Sequence, residues 1–128
     1  MKLNDFMRGY ASEINGNYSE CDDQRSVIIV PLGEDRFQAV IGEMTDDKER
    51  INISSKVCEA GDDIDYKELL VINHKTSYGK FAISNSFLKV ETSLLANETD
   101  TDSLKEIIME VAELADSWEL KLTGKDIF

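Results

Sequence analysis

The sequence predicts an α+β domain: an antiparallel sheet of about five strands with helices packed on it, in the order α-βββ-α-ββ-α. Three observations carry this. KFAIS and FLKVE flank Asn85-Ser86, a two-residue connection of turn-forming residues. Leu104, Ile107, Ile108, Val111, Leu114, Ala115 and Trp118 recur at the spacing of one face of an α-helix. Between Val27 and Val57, three β-rich runs are joined by short polar turns.

The N-terminal stripe Leu3, Phe6, Met7, Tyr10 and Ile14 is helical in period, with Asn4 as a plausible N-cap and Gly16 as the residue that closes the helix. Asn17 to Gln24 reads as a polar connection. The β-branched run Val27-Ile28-Ile29-Val30 ends at Pro31, so its strand finishes at a sheet margin. Phe37, Ala39 and Ile41 alternate with Gln38, Val40 and Gly42, and Ile51, Ile53 and Val57 alternate with Asn52, Ser54 and Lys56. These three strands form an antiparallel meander with one wet face. Asp65, followed three residues later by Glu68, resembles a capping pair, so Tyr66, Leu69 and Leu70 start a short second helix, while Val71-Ile72 would also suit a strand. In the hairpin, a two-residue loop sets Phe81 opposite Val90, Ile83 opposite Leu88 and Lys80 opposite Glu91. The capping residues of NETDTDS then open the last helix. Leu120, Leu122, Ile127 and Phe128 form a tail apolar enough to dock.

The length of 128 residues fits one domain, 1–128, with a core that needs no staples. A hydrophobic fraction of 41% and a charged fraction of 31% are those of a folded globular chain. The longest apolar run, Val27 to Leu32, is too short for a membrane span, and the first residues lack the apolar core of a signal peptide. The expected location is the cytoplasm, with Cys21 and Cys58 reduced. The net charge is −12, and its placement is uneven: nine acids lie between Glu91 and Glu119 against Lys105 alone. Such a surface repels a phosphate backbone, so nucleic acid and anionic membrane are excluded as expected partners, while a basic protein is admitted.

The side chains that carry chemistry do not converge. His74 is the only histidine, and neither Cys58 nor Ser77 stands in a nucleophile motif that would pair with it. Cys21, Cys58 and His74 are too scattered for zinc. Asp62, Asp63 and Asp65, like Asp100 and Asp102, lack the glycine and closing glutamate of a calcium loop and sit where helix caps belong. Gly33, Gly42, Gly61 and Gly79 form no phosphate-binding cluster. No catalytic residue, metal or cofactor is therefore assigned, and the chain reads as one that binds a protein.

From Leu69 to Trp118 the chain resembles the type III secretion chaperone-like fold, which includes the YbjN-like proteins and the class I secretion chaperones. Leu69, Leu70 and Asn73 in the middle helix carry the resemblance, with Gly79 to Ile83 opening the hairpin. Val90 and Leu94 on the return strand and Ala112, Ala115, Asp116 and Trp118 on the last helix complete it. The resemblance implies a bacterial, non-enzymatic homodimer, a chaperone-like adaptor or regulator that binds an unfolded or extended segment of a partner. The partner would contact Leu3, Phe6, Met7, Tyr10, Ile28, Val30, Phe37, Ile51 and Ile53. Dimer contacts would come from Tyr66, Leu69, Leu70 and Ile72. An alternative that rests on charge alone is an acidic immunity or inhibitor protein that neutralises a basic toxin.

Overall fold

The computed structural model describes residues 2–128, and its elements follow the expected order with one strand more. They are α1 (Leu3–Glu13), β1 (Asn17–Asp22), β2 (Arg25–Pro31), β3 (Phe37–Met44), β4 (Arg50–Glu59), α2 (Tyr66–Asn73), β5 (Lys80–Ser84), β6 (Phe87–Leu95) and α3 (Thr101–Thr123). The strands form one antiparallel sheet in the order β1-β2-β3-β4-β6-β5. Among the described residues no helix is long and apolar enough to cross a membrane.

The added strand is β1, in the stretch read as a polar connection. NYSECD carries no apolar alternation because β1 is an edge strand with one neighbour, and of its side chains only Tyr18 is half-buried. The ends of α1 also differ from expectation. Asn4 lies inside the helix, where its Nδ2 donates to the Asp22 carbonyl at 2.8 Å and ties α1 to the end of β1. The left-handed position after α1 is taken by Asn15 (φ 59°), not by Gly16. Gly16 is needed for another reason: a Cβ there would stand 2.5 Å from the Ile29 carbonyl oxygen.

Elsewhere local chemistry and structure agree. Asp65 caps α2 by accepting from the Glu68 amide, and Asp100 caps α3 by accepting from Ser103. Gly124 (φ 71°) closes α3 in the left-handed conformation. Asn85 and Ser86 both have positive φ, as a two-residue hairpin turn requires, and the register pairs Phe81 with Val90, Ile83 with Leu88 and Lys80 with Glu91. The Lys80 ammonium does not reach Glu91, however. It donates to the carbonyls of Asn73 and Thr76 and closes the C-terminal end of α2.

Both long helices pack on one face of the sheet. Ile28, Val30, Val40, Ile51, Ile53, Leu88 and Val90 point into this layer and meet Met7 of α1 and Leu104, Ile107, Ile108 and Val111 of α3. Each such side chain contributes on the order of 1.5–3 kcal/mol by leaving water. Phe81 and Trp118 meet edge to face at 5.7 Å. Gly42 lets α1 come close, because a Cβ would stand 2.7 Å from the Met7 methyl. α2 instead flanks the β5 edge: the Asn73 side chain accepts from the Phe81 amide (2.6 Å) and donates to its carbonyl (3.2 Å), standing in for a missing strand.

Candidate partner-binding face

Since the helices cover one face of the sheet, the pleat sends every second residue to the other. On β2 and β3 these outward residues are Val27, Ile29 and Pro31 against Ile41, Ala39 and Phe37, directly paired across the strands. All are half-buried except Phe37, which is 47% exposed. The meander expected to have one wet face thus has an apolar patch there. On β3 the phase is opposite to the simplest reading. Gln38, Val40 and Gly42 point inward, and the greasier set, Phe37, Ala39 and Ile41, points outward. Gln38 is admitted to the interior because its amide donates to Ser55 Oγ (2.7 Å) and the Lys56 carbonyl (2.8 Å).

The patch has a polar rim. Beside it on the β4–β6 half of the open face lie Asn52, Ser54, Lys56, Lys89 and Glu91, with Lys56 directly opposite Lys89. The Lys56 ammonium sits 4.2 Å from the centre of the Phe87 ring.

The residues expected to touch a partner lie elsewhere for the most part. Leu3, Met7, Tyr10, Ile28, Val30, Ile51 and Ile53 are buried between helices and sheet, and on β2 the residues one position along, Val27 and Ile29, face the open side. Phe6 is half-buried against the core, stacked on Tyr10 at 5.9 Å, and Phe37 alone is exposed. Of the expected dimer contacts, Leu69 is core, Tyr66 and Ile72 are half-buried, and Leu70 is 66% exposed. Val71, Tyr78 and Ile83 (56% exposed) add further apolar surface around α2 and the β5 edge. Sequence reasoning missed Val27, Ile29 and Ile41. The available signal was VIIVP itself, apolar at consecutive positions and therefore on both faces.

The titratable groups form no catalytic constellation among the described residues. His74 is exposed at the end of α2. Cys58 is buried, and burial pushes its thiol up, with the charges of Asp63, Glu119 and Glu59 adding to the effect. Asp116, Glu119 and Asp126 bring their carboxylates within 4.8 Å of one another. The cation among them is the protein's own: Arg36 Nε donates to both Asp116 oxygens (2.9 and 3.1 Å), and its Nη2 lies 3.8 Å from Asp126. The acid cluster on α3 is likewise partly structural. Glu110 accepts from the Tyr78 and Gly79 amides, Asp116 holds Arg36, and Glu119 is fully buried.

No family model matches the chain, and no curated protein sequence matches it. Solved structures do. A chain of the heterodimeric ExoU–SpcU complex from the type III secretion system of Pseudomonas aeruginosa is 12% identical with a TM-score of 0.67, over 96% of this chain and 99% of that one. The Yersinia pestis type III secretion chaperone SycH, in complex with a stable protein fragment, gives 11% identity and 0.61, over 90% and 98%. YbjN from E. coli, described as a putative transcription regulator, gives 16% and 0.61, over 94% and 91%. The chain has the fold of the type III secretion chaperones and of YbjN.

Proposed function

We propose that this protein is a non-enzymatic, cytoplasmic binding module that takes an extended segment of a partner polypeptide on its open sheet face, in the manner of a chaperone-like adaptor or regulator. The observation that carries the reading is the paired patch Val27–Ile41, Ile29–Ala39 and Pro31–Phe37, apolar and covered by none of the helices. Exposing that surface to water is unfavourable, and a partner that covers it recovers roughly 25 cal/mol per Å² of apolar area. Phe37 remains a partner contact in this proposal, whereas Phe6 lies on the helix side and the buried residues of α1, β2 and β4 hold the face in shape. Two such modules associate through Leu70, Val71 and Ile83. Complexes of SpcU and of SycH with other proteins, on the same fold, support the reading.

The alternative, an acidic inhibitor of a basic toxin, has less surface to work with, because Glu110, Asp116 and Glu119 of the cluster already serve contacts within the chain.

The test is affinity capture with a photo-crosslinking residue at position 37 or at position 113, followed by identification of the adduct. The proposal expects a reproducible adduct from position 37 that Ile29→Asp abolishes while the circular dichroism stays unchanged. Adducts only from position 113, insensitive to Ile29→Asp, would overturn it.

A further inference from the structure

The β3–β4 ladder stops short. It pairs Ile41 with Ser54 through to Met44 with Ile51, while β4 continues to Glu59 and is paired with β6 along that length. At the upper end of the sheet, β3 therefore presents backbone groups to a gap. The segment after α3 fills it. The Ala39 amide donates to the Phe128 carbonyl (2.7 Å), and the Phe37 amide donates to Asp126 Oδ2 (3.1 Å). From the other side, Glu119 Oε2 accepts from the Ile127 and Phe128 amides at 2.7 and 3.1 Å. The Phe128 ring stands edge-on to Phe87 at 5.8 Å, with the Lys56 ammonium 5.8 Å from its centre.

We infer that this gap is a docking slot for an extended peptide segment bearing an aromatic residue, occupied in this structure by the chain's own Lys125–Phe128. The inference rests on the proposed partner-binding reading and adds to it the chemistry of one subsite. The recognising groups are all present: two backbone donors on β3, one carboxylate that takes two consecutive amides, and an aromatic–cation pair for a ring. One acceptor at the slot is unused. Glu119 is fully buried, yet its Oε1 lacks a partner among the described residues. The cis segment thus leaves hydrogen-bonding capacity that a donor-bearing segment would use. The slot also adjoins the apolar patch, because Ala39 belongs to both. A partner segment on the open face that runs on into the slot has to displace the tail, so tail and partner compete there.

The test measures fluorescence anisotropy of a labelled peptide Thr123–Phe128 with three proteins: the full chain, a variant lacking Lys125–Phe128, and full-length Phe128→Ala. A tethered segment competes at an effective concentration of order millimolar. The deletion variant is therefore expected to bind the peptide at least about tenfold more tightly than the full chain, with Phe128→Ala between them. Replacing the peptide's phenylalanine by serine should remove the gain. Equal affinity in all three proteins, or no dependence on the aromatic ring, overturns the slot. In case the deletion uncovers Glu119 and unfolds the chain, amide exchange in the full-length protein decides the same question. The Ala39 amide should exchange by local opening, about tenfold or more faster than that of Val40, which the strand turns toward β2. Exchange of both only through global unfolding overturns the proposal. Peptide binding without any partner on the open face keeps the slot and sinks the wider reading. The reverse result does the opposite.

Discussion

Asn73→Ala tests how the sheet ends. Among the described residues the Asn73 side chain is the one edge partner of β5: it satisfies both the Phe81 amide (2.6 Å) and the Phe81 carbonyl (3.2 Å) from part-buried positions. Removing it deletes two hydrogen bonds, each with a net value near 1 kcal/mol, and bares an edge that water reaches only in part. Alanine recovers a few tenths of a kcal/mol in helix propensity. The expected loss is about 2 kcal/mol, or roughly 6–10 °C in Tm for a chain of this size. Urea unfolding followed by circular dichroism should show a lower midpoint at unchanged slope, and the Phe81 amide should lose protection. Asn73→Asp is the companion variant. It keeps an acceptor for the Phe81 amide but sets a carboxylate against the carbonyl, so it should be no more stable than the alanine variant. A loss below about 0.5 kcal/mol with Phe81 still protected would refute the strand-mimic account.

Two further outcomes follow from groups away from the open face. A thiol reagent should modify Cys21, which is exposed, quickly and at one equivalent per chain, and Cys58 only on unfolding, since burial raises its thiol and blocks access; two fast equivalents would contradict the packing at the end of β4. The Asp100 carboxyl is held below its ordinary value of 3.8, chiefly by the Ser103 amide at the start of α3. A depressed carboxylate pKa stabilises the fold above the unfolded value and loses that contribution as pH falls through the folded one. Asp100→Asn should therefore be less stable than wild type at neutral pH, and the difference should shrink below pH 3.8; a difference independent of pH would show that the charge is immaterial.

The elements with strong local signals were legible in advance. The hairpin register followed from Asn85-Ser86 and three matched cross-strand pairs, and α3 followed from its apolar stripe and the capping residues that open it, although the helix continues through Leu120 and Leu122, read as tail, to Thr123. β1 was not legible, because an exposed edge strand needs no apolar side chains and advertises itself only through backbone pairing. The candidate face was lost through phase. In β3 the usual inference puts the apolar set inside, yet here a glycine that admits Met7 and a glutamine bonded to Ser55 occupy the inner positions. Both depend on residues distant in the chain, and neither is visible within an eight-residue window. The docking of Phe128 against Phe87 was foreseen as a tendency of the tail but not as a location, since the gap that receives it exists only because one ladder ends early.

The most direct measurement is a methyl and amide NMR titration of the labelled protein with its captured partner. The account predicts that the largest shifts fall on Val27, Ile29, Ala39 and Ile41 of β2 and β3, while Leu104, Ile107 and Val111 in the helix layer stay still. Shifts confined to the outer side of α3, around Glu106 and Glu113, with the β2–β3 face silent, would contradict it.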